Sequence, residues 1–318
     1  MSKVIEKAVS AQFTKHANEH HLEEELQSAY KNFHSTETAL LKIVNDFLVE
    51  ADNQKVVMVA FLDLSAAFDT VDHDILVNRL RTLFGINDTA LEWCRSYLKG
   101  RTQAVKINNE LSSSKSLTCR VPQGSGLGPN FYCKYTIPVG IIIRIFLILF
   151  HMFADDSQLY KAIKAKLIEE QLKAKQLIEL CIQEISYWMD NNHLKFNEEK
   201  TEFLIIGTPK QGEKMVIDSL NIGGVEIKSS PYVRNLGVLL DSGLTMRHQV
   251  NSVCKSCYIQ LRNIIHIRPY LTIGAAKIIV NSIITSRLDY CNSLLYGISA
   301  SSTNFSVYKI GPSELFYN

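Results

Sequence analysis

No excess of charge of either sign marks this sequence: 34 Lys and Arg stand against 32 Asp and Glu, leaving a formal net charge of +2 over 318 residues. Overall electrostatic attraction to nucleic acid is thereby excluded, and any such contact has to come from locally clustered Lys and Arg. A membrane span is missing as well. The one candidate, residues 137–154, has Arg144 in its middle, Pro138 and Gly140 near its start and Asp155-Asp156 after its end. It falls short of the roughly 20 apolar residues a span needs, and it reads as a buried helix end leading into a core strand. Residues 1–29 hold neither an apolar signal core nor a transit-peptide bias and are polar and helix-like. Seven cysteines, an odd number, are scattered without a signal peptide, the pattern of reduced thiols in an intracellular protein. Cys254-x-x-Cys257 has no second pair, which argues against zinc. His16 and His20 stand one helical turn apart but lack the HExxH order, and read as an exposed helix face.

What is present is globular. Hydrophobic residues make up 46% and charged residues 21%, enough for one large domain or two ordinary ones. Ser35-Thr36-Glu37 offers an N-cap and an acidic first turn ahead of Leu40, Leu41, Val44, Phe47 and Leu48 on one helical face. Residues 56–64, VVMVAFLDL, form a nearly continuous apolar and β-branched run, the pattern of a central strand buried on both faces. That strand delivers Asp63 near its end, where a carboxylate needs a metal, a cation or solvent to offset a desolvation cost of several kcal/mol. Helical spacing follows over 72–84, stopping at Gly85, and from Asp88 to about Gly100. Residues 102–108 and 117–121 read as a hairpin around Asn108-Asn109-Glu110. A loop punctuated by Gly and Pro, residues 122–129, lies between the two acid-bearing strands; its glycines allow close approach of backbone to a ligand, and Gln123 offers an amide. A long amphipathic helix is expected over 167–191, short strands over 201–207, 215–220, 225–228 and 233–241, and helices over 246–267 and 272–287.

The stretch His151-Met152-Phe153-Ala154-Asp155-Asp156-Ser157-Gln158-Leu159-Tyr160 stands apart. Two adjacent aspartates interrupt an apolar run and are expected on a tight hairpin turn. Two like charges about 4 Å apart repel by roughly 4 kcal/mol at an effective dielectric of about 20, so the pair is either solvated, as turn aspartates commonly are, or holds a divalent cation.

Phe61-Leu62-Asp63-Leu64-Ser65-Ala66-Ala67-Phe68-Asp69, Val121-Pro122-Gln123-Gly124-Ser125 and Phe153-Ala154-Asp155-Asp156, in that order, resemble motifs A, B and C of the reverse transcriptases of non-LTR (LINE-type) retrotransposons. The ordered set is far more specific than any one of its members. The resemblance continues through residues 192–201 (motif D), Asn235-Leu236-Gly237-Val238 (the primer-grip motif E), residues 288–293 of the thumb and residues 34–40 of the fingers, covering roughly residues 25 to 297.

It implies an α+β fold, a right-hand polymerase palm whose antiparallel sheet is packed with helices. Residues 1–55 would be partial fingers, 56–230 palm with finger insertions, 231–245 the primer-grip hairpin, 246–297 thumb helices and 298–318 a divergent tail. The implied activity is two-metal transfer of deoxynucleotides to a primer 3′-hydroxyl on an RNA template, with Mg²⁺ as cofactor and Mn²⁺ as the alternative. Asp63, Asp155 and Asp156 would hold the metals together with the Leu64 carbonyl. Phe68 would be a steric gate against the ribose 2′-hydroxyl, or else a core aromatic. Gln123 and Gly124 would line the nucleotide, Lys31 and Lys200 would serve the triphosphate, and Leu236 and Gly237 the primer. The partners implied are RNA template, DNA primer and deoxynucleotides, gripped by Arg247, Lys255, Arg262, Arg268, Lys277 and Arg287 of the thumb and by Lys31 and Lys42 of the fingers.

Departures from the family pattern are Phe153 where Tyr is usual, Arg120 where Gly is usual, Lys31 where Arg is frequent, and residues 130–144, which do not resemble the helix after motif B. An endonuclease domain ahead of the polymerase is also missing, so the expectation is a truncated, element-derived polymerase. The competing expectation is a decayed or domesticated copy, without catalysis, that keeps the palm as a nucleic-acid-binding scaffold.

Overall fold

A run of seven consecutive apolar side chains suits a strand covered on both faces, and Val56–Leu62 (β1) is such a strand, buried at all seven positions. The structure, a computed structural model, describes residues 2–65, 68–122 and 124–298. Apart from Ile298, the expected divergent tail lies outside the described residues, as does Gln123. β1 forms a four-stranded sheet with β2 (Leu149–Phe153), β3 (Asp156–Ile163) and β4 (Glu202–Ile206), in the order β4-β1-β3-β2. All pairings in it are antiparallel.

Alternate residues of β1 feed two different cores, as the two-residue period of a strand requires. Val56, Met58, Ala60 and Leu62 join a cluster with Phe131, Tyr135, Ile178 and Ile185. Val57, Val59 and Phe61 join another with Leu40, Ile43, Phe47 and Tyr160. The first face is covered by α3 (His73–Thr82), α4 (Asp88–Leu98), α5 (Gly128–Ile145) and α6 (Ile168–Asn191). The second is covered by α2 (Thr36–Asp52), which starts at the Ser35 cap in a reciprocal box with Thr38. The hairpin of β5 (Tyr232–Asn235) and β6 (Val238–Asp241) closes the same side, and α7 (Arg247–Ile267) with α8 (Ile273–Val280) builds a third, smaller cluster around Cys257, Leu261 and Val280. Among the described residues no helix is long and apolar enough to cross a membrane.

Several expectations need correction. The N-terminal helix α1, Ser2–Glu19, stops ten residues short of Ala29 and is not merely an exposed face: Glu6, Phe13 and Ala17 are buried, and Phe13 packs edge-on against Phe131 with ring centroids 5.9 Å apart. His16 Nε2 donates to the Phe84 carbonyl at 2.7 Å. Residues 130–144 do form a helix despite Pro138, because Phe131, Tyr132, Tyr135, Val139 and Ile143 give it a continuous buried stripe. In the hairpin after α4, Lys106–Ile107 pairs with Glu110–Leu111 and Thr102–Gln103 with Lys115–Ser116, so the returning arm comes earlier than 117–121. Residues 117–121 instead reach the start of α3, where Asp72 bridges Cys119. The strand expected over 233–241 folds at Leu236-Gly237, both with positive φ (+45° and +84°), which makes the two-residue turn of a hairpin.

Arg120 carries a strain its sequence position hints at. Its φ is +89°, a left-handed value that suits glycine. The surroundings hold it there: its N–H donates to the Val71 carbonyl (2.9 Å), its carbonyl accepts from His73 Nε2 (2.9 Å), and its guanidinium lies 2.7 Å from Asp69. Strain in this region costs on the order of 1–2 kcal/mol, whereas a half-exposed ion pair contributes about 1 kcal/mol or less. Arg120→Gly is therefore expected to be at least as stable as the natural chain and about 1 kcal/mol more stable than Arg120→Ala, reversing the usual Ala-over-Gly order. Urea melts of the two variants test this; Ala matching or exceeding Gly means the strain is not felt.

Candidate active site

β1 and β3 are paired so that Leu62 faces Ser157. Asp63, the residue immediately after β1, therefore emerges beside Asp156, the first residue of β3. Phe153 pairs with Asp156, which leaves Ala154 and Asp155 as the hairpin's two-residue turn. The sequence placed both aspartates on that turn; the ladder puts one on the turn and one at the start of the strand. Three carboxylates from two adjacent strands thus share one end of the sheet.

Their electrostatics show the crowding. Burial, followed by the charges of Asp155 and Asp63, pushes the Asp156 carboxyl up to about 6. Asp155 is raised as well, first by burial, with Asp63 adding to it. Asp63 Oδ2 is buried and accepts no hydrogen bond from a described residue, although Lys200 Nζ stands 3.4 Å away. Among the described residues no three Asp, Glu, His or Cys side chains already close on one point. Bare carboxylates in that arrangement repel, and hydrated Mg²⁺ draws much of its shell from water and phosphate. Hard carboxylate oxygens, one of them without a hydrogen bond and two carboxylates destabilised as anions, nevertheless form a donor set that fits a divalent cation.

The other expected residues fall into place unevenly. Leu64 pairs with Phe196, and Asn197 N–H donates to the Asp63 carbonyl (3.2 Å), which brings the short 3₁₀ turn Glu198–Lys200 against the site. Phe68 is half-buried, its ring 4.4 Å from that of Tyr132 and tilted by 31°. Tyr132 is fully buried, its hydroxyl has no hydrogen-bond partner among the described residues, and burial followed by the Asp155 charge raises its pKa. Gly124 has φ +72°, open to glycine and strained for other residues. The Lys31 ammonium is engaged by the Glu24 carbonyl (2.6 Å) and lies 3.9 Å from Glu23. The Leu236-Gly237 turn is held from the 288–293 segment, where the Tyr290 hydroxyl donates to the Leu236 carbonyl at 2.6 Å. Ser293 in turn binds Glu37 at the start of α2 through both its N–H (3.1 Å) and its hydroxyl (2.5 Å).

Sequence reasoning missed a set of buried polar groups around the hairpin. Gln27 is hydrogen-bonded to the main chain of Ala154, and Ser28 Oγ to His151 Nε2 at 2.8 Å. Gln158, facing His151 across the hairpin, donates to Asn235 Oδ1 at 2.9 Å. Burial pushes the His151 imidazole down to about 4, so it is neutral at pH 7. On the other side of the site the Glu6 carboxylate accepts the Gly126 N–H at 2.8 Å, tying the N-terminal helix to the loop after β1 and the first helices.

The sequence model of the reverse transcriptase (RNA-dependent DNA polymerase) family matches residues 1–240. The RNA-directed DNA polymerase from mobile element jockey of Drosophila melanogaster is 26% identical over 284 residues, covering 87% of this chain and 30% of that protein. The probable RNA-directed DNA polymerase from transposon BS of the same organism is 23% identical over 285 residues, with the same coverage. The chain thus spans under a third of the length of these relatives. In structure it is similar to apo telomerase from Candida Tropicalis, with a TM-score of 0.52 and 14% identity over 96% of this chain and 52% of that one. At that identity the likeness speaks to the fold, and the fold is the expected α+β palm architecture.

Proposed function

The chain belongs to the reverse transcriptase (RNA-dependent DNA polymerase) family, and on that premise we propose that it is a polymerase core of the non-LTR retrotransposon type, adding deoxynucleotides to a primer 3′-hydroxyl on an RNA template. The observation that carries this reading is the register of β1 with β3, which sets Asp63, Asp155 and Asp156 at one end of the sheet. Nucleotidyl transfer forms a bond from the 3′-oxygen to the α-phosphate and expels pyrophosphate. Two Mg²⁺ ions, with Mn²⁺ as substitute, supply activation of the hydroxyl and neutralisation of the leaving group when bound.

The chain's own residues take the remaining roles. Asp63, Asp155, Asp156 and the Leu64 carbonyl would hold the cations. Lys200, 3.4 Å from Asp63, offers a positive charge or a proton to the leaving phosphate. Phe68 walls off the sugar, Gln123 and Gly124 line the base, and Lys31 serves the triphosphate by leaving its carbonyl partner. Leu236 and Gly237 support the primer end. Residues 1–55 act as fingers, 56–230 as palm, 231–245 as primer grip and 246–297 as thumb. Extension of oligo(dT) on poly(rA) with Mg²⁺ by the purified chain tests the proposal. Tight template-primer binding without extension would instead favour the non-catalytic scaffold.

The thumb assignment has its own test. Arg247, Lys255 and Arg262 are exposed on α7, and at about 100° per residue they lie within about 80° of arc, on a stripe that flanks the one formed by buried Val250, Cys257 and Leu261. Each phosphate they neutralise contributes about 0.9 to the slope of log affinity against log salt on B-form duplex. Replacing all three by Gln is expected to flatten that slope by about 2 to 3 and to weaken binding of a template-primer duplex. An unchanged slope removes this helix face from the nucleic-acid interface.

A further inference from the structure

We propose that Gln27 is a positioning residue for the Asp155–Asp156 turn, fixing the carboxylates through the main chain of Ala154; the inference rests on the metal-binding role proposed above. Gln27 is 3% exposed and separated from its partner by 127 residues. Its Oε1 accepts the N–H groups of Ala154 (2.9 Å) and Ala29 (3.0 Å), while its Nε2 donates to the Ala154 carbonyl (3.2 Å). One amide therefore holds both polar groups of a single residue, the one immediately before Asp155.

Ala154 needs such a hold. Its φ is +58°, a region that L residues other than Gly, Asn and Asp seldom enter, and no glycine is present to make that conformation easy. The neighbouring chain adds to the restraint: Met152 N–H donates to Leu26 (2.8 Å), Ser28 N–H donates to Met152 (2.9 Å), and Ser28 Oγ meets His151. Residues 26–28 thus run alongside β2 as a strap, and Gln27 is the point at which it grips the turn. The chemistry is specific to an amide, since a carboxylate can only accept and an ammonium can only donate.

Binding of Mn²⁺ to the full chain, followed by the electron paramagnetic resonance of the free ion without primer or nucleotide, tests this apart from catalysis. Outer groups that orient metal ligands typically change affinity about 10–100-fold when removed. Gln27→Ala is expected to weaken Mn²⁺ binding by about that factor, and Gln27→Glu, which keeps the acceptor and loses the donor, by less. Ala154→Gly introduced into Gln27→Ala is expected to recover most of the loss, because glycine occupies φ +58° without restraint. A purely structural role for Gln27 predicts no such rescue. If the natural chain binds Mn²⁺ and Gln27→Ala binds it equally, or if Ala154→Gly fails to rescue, the positioning role is overturned. It is also overturned if Gln27→Ala and the volume-matched Gln27→Met both lose cooperative melting, which would assign the residue to fold stability. If the natural chain and Asp155→Asn show the same absence of Mn²⁺ binding, the metal-site reading itself falls.

Discussion

Asp155→Asn is expected to abolish deoxynucleotide incorporation while leaving the metal-free protein as stable as before or more so. The substitution removes a charge with almost no change in volume. Losing a metal ligand in the transition state raises the barrier by several kcal/mol, and about 4 kcal/mol already corresponds to roughly a thousandfold in rate. Stability moves the other way because the carboxylates oppose one another: burial raises both Asp155 and Asp156, the latter to about 6. A carboxyl whose folded pKa lies above its unfolded value makes folding less favourable once it ionises, so the penalty is present above the folded pKa and vanishes below the unfolded one. Asp156→Asn should accordingly melt above the natural chain in EDTA at pH 7.5, by an amount on the order of 1 kcal/mol given partial solvation. That gap should begin to close as pH falls through about 6 and should be gone below the ordinary carboxylate value of about 4. Equal primer extension by Asp155→Asn and the natural chain would sink the metal assignment, and a lower melt at pH 7.5 would sink the electrostatic one.

Phe68→Val is expected to raise the ratio of kcat/KM for UTP over dTTP by about 10–100-fold, the range that a pocket gains or loses by a change in shape alone. The reason lies in what supports the ring. Phe68 leans on Tyr132, whose ring is wholly buried at 4.4 Å, so the phenyl cannot sink away from an incoming sugar. Discrimination would then be steric exclusion of the 2′-hydroxyl, with no hydrogen bond involved. Valine leaves a space that the fixed Tyr132 does not fill. An unchanged ratio in a variant that still polymerises would return Phe68 to service as a core aromatic. Loss of activity for both nucleotides alike would point to a general packing role.

Much of this was legible before any coordinates, for identifiable reasons. Residues 56–62 could be read as a doubly covered strand because the hydrophobic effect leaves seven successive apolar residues few other arrangements. The helices over 167–191 and 246–267 showed themselves by period, and the structure starts each one residue later than expected, at Ile168 and Arg247. Asp63, Asp155 and Asp156 stood out as acids next to apolar runs. What could not be read was whatever depends on backbone dihedrals or on pairings between distant polar groups. The strain at Ala154 leaves no periodic trace, since an alanine at positive φ looks like any other, whereas Arg120 at least stood where the family pattern has glycine. Gln27 sits in a polar stretch and is buried only because residues 26–29 happen to flank β2. The engagement of Lys31 with Glu24, seven residues earlier, is likewise a matter of how the chain bends after the first helix.

The central strand also dictates an order of events during synthesis. β1 finds its first sheet partner in β3, about a hundred residues later, and its second in β4, later still. At a translation rate of about 5–20 residues per second, Val56–Leu62 waits on the order of 5–20 s before an edge is available to cover it. During that wait it is a seven-residue, uncharged, β-prone segment without proline, the composition that pairs with copies of itself. Helix α2, made just before it, is the one neighbour present from the start, and Leu40, Ile43 and Phe47 can shield one face early. The other face begins to be covered when α3 and α4 emerge, and its cover is complete only with α5 and α6. Recovery of this chain from a heterologous host should therefore depend on holding the nascent strand apart from its copies, through slow induction or chaperone supply, more than on the stability of the finished fold.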